Sequence, residues 1–141
     1  MHNTACVNVA KVLAELADRR VTTGRIFDSS GKEVFKEIEA GGGGALVDAT
    51  DEYLRKYGTA IHPKAKYYPA AQHVESQYAM WMRQNGVTNA TVVMNNAEGV
   101  CGGPYGCLRA VKTILPEGSR MTIWYPGALK PEVILGEAAA P

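Results

Sequence analysis

The apolar positions along the chain fall into helical and extended rhythms that alternate. Across residues 7–20, Val9, Val12, Leu13, Leu16 and Ala17 recur three and four apart, with Lys11, Glu15, Asp18 and Arg19 between them. That spacing predicts an amphipathic helix, which reads as a packing helix or the end of a linker. Residues 22–27 and 33–39 read as short strands, the second with Val34 and Ile38 apolar. Asp28-Ser29-Ser30-Gly31 between them is a turn sequence, so the pair predicts an antiparallel hairpin. Residues 41–44 are four consecutive glycines. A phosphate-binding loop needs its glycines around a Lys-Ser/Thr pair or at the opening of a helix after a strand, and neither spacing occurs here. The run therefore reads as a flexible connector. A helix capped by Asp48 or Thr50 follows, running to Tyr57 with Gly58 at its end.

The second half of the chain is more regular. Residues 73–85 carry a stripe of Val74, Tyr78, Trp81 and Met82, with Gly86 placed to end the helix. Residues 90–94 are a compact apolar run suited to a buried central strand. A helix opening at Tyr105 or Gly106 runs to Ile114 and stops at Leu115-Pro116-Glu117-Gly118. A strand over 120–125 follows, with a short last one over 132–135. Alternating strands and helices imply a crossover and parallel pairing there. The expected product is an α/β sandwich of three layers, with a mixed sheet of four to five strands and helices on both faces. We expect one domain over 1–141: an N-terminal helix or linker to residue 20, a core over 21–136 and a frayed tail over 137–141.

Composition narrows the class. The 141 residues suit one domain, and 46% hydrophobic with 21% charged residues is an ordinary globular balance. No apolar run approaches the roughly 18 residues of a membrane span, and the first ten residues lack the basic and apolar regions of a signal peptide. The three cysteines, Cys6, Cys101 and Cys107, are too few and too odd in number for a disulfide framework. They leave a close pair for metal or redox use. Residues 1–52 carry 6 basic and 9 acidic side chains, a net −3, whereas residues 53–141 carry 9 and 5, a net +4. The basic part, with Lys64, Lys66, Arg83, Arg109, Lys112 and Arg120, is compatible with a phosphate-bearing substrate or with an ordinary solvated surface.

The chemistry lies in two stretches, Gln72-His73-Val74-Glu75 and Cys101-Gly102-Gly103-Pro104-Tyr105-Gly106-Cys107. Taken alone, His-x-Glu is a structural histidine with a surface glutamate. Within a helix, residues two apart point about 200° apart, so His73 and Glu75 converge only on a target off the helix start. Cys107 opens the next helix, so two helix N-termini would face one point and favour thiolates there. One imidazole and two thiolates, from His73, Cys101 and Cys107, give zinc three protein ligands and an open position, the catalytic arrangement. Zinc lowers the pKa of a bound water toward 7, and Glu75 is placed to move its proton. Attack on C4 of cytosine or C6 of adenine with loss of ammonia suits these parts. The usual zinc-deaminase pattern is H-x-E…P-C-x-x-C; here Val100 replaces the proline and five residues separate the cysteines.

Residues 73–126 resemble the DddA-like bacterial toxin deaminases. The shared features are the HVE helix ending in Arg-x-x-Gly, the Asn-Asn…Glu-Gly-x-Cys loop and the Leu-Pro-Glu-Gly before a strand; the Thr-Thr-Gly-x-x-Phe-Asp hairpin extends the likeness to residue 20. The resemblance implies a cytidine-deaminase-like fold, a catalytic Zn2+ on His73, Cys101 and Cys107, and Glu75 as proton shuttle. It further implies cytosine in DNA as substrate, single- or double-stranded. The chain would be the toxin domain of a secreted or delivered bacterial effector that acts in the target-cell cytoplasm. A cognate immunity protein is the expected partner. No membrane association is expected, and the domain would act as a monomer. The Gly102–Gly106 insert is a departure that bears on the pocket rim.

Around this centre, Tyr105 lies between two ligands and could stack on a flipped base. Asn95 and Asn96 end a strand beside the site, Tyr68 (with Tyr67) precedes the helix, and Trp124 ends the following strand; each is a candidate substrate contact. Two other readings share the parts: a deaminase of RNA or of free nucleosides or nucleotides, and a non-catalytic zinc-stabilised binding module. The latter needs a fourth ligand, for which Cys6 or His62 is available, and has no use for Glu75.

Overall fold

The computed structural model describes residues 7–57, 69–96 and 107–138. Its sheet has five strands in the order β2-β1-β3-β4-β5: β1 Thr23–Phe27, β2 Ile38–Glu39, β3 Asn89–Met94, β4 Arg120–Trp124 and β5 Glu132–Leu135. Only β3 and β4 pair in parallel; the other neighbours are antiparallel. Helix α1 (Val9–Leu16) covers one face, and α2 (Ala45–Tyr57), α3 (Val74–Asn85) and α4 (Cys107–Ile114) cover the other. This is the mixed three-layer α/β sandwich expected from the sequence.

Strand alternation divides the core in two. Ala90, Val92 and Met94 of β3 face α3 and α4 with Ile26, Met121 and Ile123, while Val93 faces α1 with Phe27, Val12 and Leu16. With both faces covered, β3 is buried at every position from Ala90 to Met94, with Thr91 the one polar residue among them.

The direction of the helices follows from the crossover. Chain runs up β3, back along α4 and up β4, and α3 likewise runs back before β3. Both helices are therefore parallel and begin at the edge where β3 and β4 end. Their far ends are tied together. Arg83, in the last turn of α3, donates to the carbonyl of Ile114 at the end of α4 (3.0 Å), and Tyr53 of α2 donates to that of Thr113 (3.0 Å). The guanidinium lies 4.8 Å from the centroid of the Tyr53 ring. These contacts satisfy carbonyls that a helix end leaves without partners.

The start of α3 is pinned to β1. Tyr78 is fully buried, and its hydroxyl donates to the carbonyls of Gly24 (2.7 Å) and Lys36 (2.9 Å). Burial pushes its phenol well above the ordinary range, so it stays a donor. Helix and strand touch at Gly24, where a Cβ would stand 2.5 Å from Val74 Cγ1.

Four expectations change. The hairpin's second strand is two residues long in place of 33–39. Glu33 bridges Phe27 and Ile38 pairs Gly24, so two extra residues bulge out between these points. Phe35 leaves the strand to stack on Trp81 with centroids 5.1 Å apart, and the Lys36 carbonyl turns to Tyr78. Helix α2 starts at Ala45, ahead of both expected caps, because Gly44 (φ 122°) supplies the carbonyl that accepts from Asp48 N–H. Helix α1 stops at Leu16. At the other end, Glu137 and Ala138 are not loose: Glu137 N–H donates to the Lys112 carbonyl, Ala138 N–H to that of Leu115, and Glu117 N–H to that of Ala138. Residues 139–141 lie outside the described residues.

Replacing Tyr78 by Phe removes the donor to two carbonyls without opening a cavity. The expected cost is about 1–3 kcal/mol, read as a lower urea midpoint at unchanged slope.

Candidate functional site

Four described residues build the site upward from the sheet. The turn Pro69–Gln72 is a single 3-10 turn, and His73 follows as the N-cap of α3 with extended torsions (φ −80°, ψ 147°). Its imidazole makes no cap bond to the helix. Val74 then packs on Gly24, and Glu75 enters the first turn. Glu75 is only 3% exposed. A buried carboxylate is rare unless something holds it, and the N-terminal end of α3 is a favourable place for negative charge. This overturns the surface glutamate that His-x-Glu alone implies. Ser76, also fully buried, has a hydroxyl with no hydrogen-bond partner among the described residues.

Burial lowers the pKa of His73 below its ordinary value, so the imidazole is neutral at pH 7. Neutral imidazole is the form that binds a metal. Cys107 opens α4 at the same edge of the sheet as His73 opens α3. Cys101, Tyr105, Tyr67, Tyr68 and the Gly102–Gly106 insert lie outside the described residues, as does the side chain of Cys107. Among the described residues no three His, Cys, Asp or Glu side chains gather as a metal group. His73 offers the neutral imidazole a metal takes, beside the buried Glu75 and the Ser76 hydroxyl, unpartnered among the described residues, at the same helix start.

The remaining expected contacts separate. Asn95 sits at the exit of β3, where its side chain extends the β1–β3 pairing. Its Oδ1 accepts from Thr23 N–H (2.8 Å), and its Nδ2 donates to the carbonyls of Leu16 (3.1 Å) and Val21 (3.2 Å). That amide is engaged with the fold and turns toward α1. Asn96 follows it, half-buried at the same exit. Trp124 ends β4 but packs with Val93 and Leu16 on the α1 face, the opposite side of the sheet from Glu75. Alternation along β4 requires this, since Ile123 faces the helices. Of the basic residues in the second half, Arg83 caps α4 and Arg120 pairs opposite Leu135 at the start of β4, both at the far end from His73.

Sequence reasoning gave no role to three residues, two of which, Gly24 and Gln72, stand inside motifs it quoted. Gly24 admits α3 at close range, Gln72 ties the turn before His73 to the glycine run, and Gln77 donates to the Gln72 carbonyl (3.1 Å). The close approach that Gly24 permits leaves no mark in the local pattern. Gln72 and Gln77 flank the His-x-Glu motif, and that adjacency was the available signal.

Residues 2–138 match the family model of the SCP1.201-like deaminases. The chain belongs to that family. An α/β core with a five-stranded mixed sheet is consistent with a cytidine-deaminase-like fold, and deamination is the reaction class of the family. The chain is also similar to Double-stranded DNA deaminase toxin A of Burkholderia cenocepacia (strain H111), 44% identical over 59 residues. That match covers 42% of this deaminase and 4% of the toxin's length.

Gly24→Ala tests the seat of the site. The added methyl drives Val74, the residue between His73 and Glu75, away from β1. A displacement near 1 Å is expected to lower kcat by about 10²-fold. Circular dichroism and kcat measured on the folded variant check this.

Proposed function

We infer that this domain hydrolyses cytosine to uracil in DNA with a zinc ion, as the toxin domain of a bacterial effector. The observation that carries the reading is the buried Glu75 two residues past the N-cap His73, at the sheet edge where Cys107 opens α4. His73, Cys101 and Cys107 would hold the metal. Zinc bound there supplies Lewis acidity that makes water acidic near neutral pH. Glu75 accepts one proton from the attacking water and gives it to N3 of the base, then moves the second proton, from the new C4 hydroxyl, to the departing amine. Water adds at C4, the bond from C4 to the exocyclic nitrogen breaks, and uracil and ammonia leave. Burial of Glu75 beneath the start of α3 keeps bulk water from competing for that proton.

DNA is favoured as substrate by the likeness to a double-stranded DNA deaminase toxin and by the net +4 of residues 53–141. Lys64, Lys66 and Arg109 are the basic residues proposed for the phosphates; Arg83 and Arg120 stand at the far end. Tyr105 and Tyr68 are the aromatics proposed for the base, with Asn96 beside them. The toxin relative supports an effector role, and with that role go, as part of the same proposal, delivery into a target cell, a cognate immunity protein and action as a monomer. No described helix is long and apolar enough to cross a membrane.

The test is uracil formation on matched single- and double-stranded cytosine oligonucleotides. Zinc-loaded protein converts at least one of them, and Glu75→Ala slows conversion by about 10²–10⁴-fold. Conversion of neither overturns the reading. Metal analysis gives about one zinc per chain, as a three-ligand site requires, and Cys101→Ser loses it. A wild-type protein that takes up no zinc overturns the metal assignment.

A further inference from the structure

The turn that delivers His73 is held by a latch made of Gln72 and the glycine run. Gln72 Nε2 donates to the carbonyls of both Gly41 (3.2 Å) and Gly42 (2.9 Å), and Gly41 N–H donates back to the Gln72 carbonyl (3.1 Å). The same carbonyl accepts from Gln77 Nε2 (3.1 Å), and Gln77 is a buried residue of the first turns of α3. Gln72 is thus fixed from the glycines on one side and from α3 on the other. The glycine run, expected to be a flexible connector, is a strap, and it is itself anchored by Ala40 N–H on the Thr22 carbonyl (2.8 Å).

His73 needs such an anchor. As an N-cap it lies outside the helical torsions, so the helix ladder fixes its carbonyl, through Gln77 N–H, but not the approach of the chain into it. A side chain that binds a metal or orders a reacting group must be held to about half an ångström, which its neighbours have to enforce. Gly41 (φ 87°) meets the latch in a conformation that other residues rarely adopt, and a Cβ there would touch nothing within 4 Å. The glycine is required by its torsion and not by crowding.

We propose that Gln72 is a positioning residue, which through the Gly41–Gly42 strap holds His73 in the orientation that metal binding and deamination require. The proposal rests on the zinc-deaminase reading above. Its test uses Gln72→Met, which keeps the volume and removes the donor, and Gly41→Ala, which disturbs the strap from the other side without filling space.

Three readouts are taken: zinc affinity by chelator competition, kcat and KM on a cytosine oligonucleotide, and amide exchange at Gly41 and His73 in the metal-free protein. Both variants are expected to weaken zinc binding and lower kcat by about 10–100-fold with KM unchanged. Exchange at Gly41 and His73 rises at least tenfold; the urea midpoint barely moves for Gln72→Met and falls only by the torsional strain for Gly41→Ala. Wild-type zinc affinity and kcat in both variants overturn the proposal, as does a loss that follows global stability. If wild type itself neither binds zinc nor forms uracil, the zinc-deaminase reading fails, an outcome separate from variants that match an active wild type.

Discussion

Helix α3 lies directly against β1, and the rest of the site depends on that contact. Gly24 gives up its side chain so that Val74 can occupy the space, and Tyr78 fastens the helix to the carbonyl of the same glycine. A helix on a sheet usually keeps a layer of side chains between backbones. Here the helix alone supplies that layer at one point, through Val74, the residue next to Glu75. The carboxylate is buried because its helix is pulled onto the strand.

The second fixed element is the far end of the helix pair. Arg83 and Tyr53 hold the end of α4 against α3 and α2, with the guanidinium stacked on the phenol ring. Parallel helices joined at their C-terminal ends place their N-terminal ends side by side. The charge in this network serves alignment, which explains why a basic residue close to the motif in sequence is remote from it in space. A similar economy holds at Asn95, whose amide continues the sheet past its last residue and joins α1 to it.

Periodicity carried most of the architecture into the sequence. The buried run Ala90–Met94, the helix ended by Gly86 and the strand after Leu115-Pro116-Glu117-Gly118 stand where the pattern puts them. His73 and Glu75 also stand at a helix start, the one place where residues two apart could converge. What the pattern could not show are the places where backbone meets backbone. The bulge between Glu33 and Ile38 arises from Trp81 drawing Phe35 aside, a contact 46 positions away. The strap of glycines owes its order to Gln72, 31 positions on. The face occupied by Trp124 follows from register, which is settled by pairing partners.

The register of β1 has a consequence for how the chain acquires its structure. Gly24 pairs with Met94, 70 positions later, and β3 separates β1 from β4. The hairpin of β1 and β2 has only two paired residues in β2, too few to stand alone in water. The first strand must therefore wait until β3 has formed, closing a long loop before it gains a partner. Since α3 takes its seat on β1, Glu75 is among the last groups to be enclosed. The topology thus couples closure of the sheet on β1 to the enclosure of Glu75.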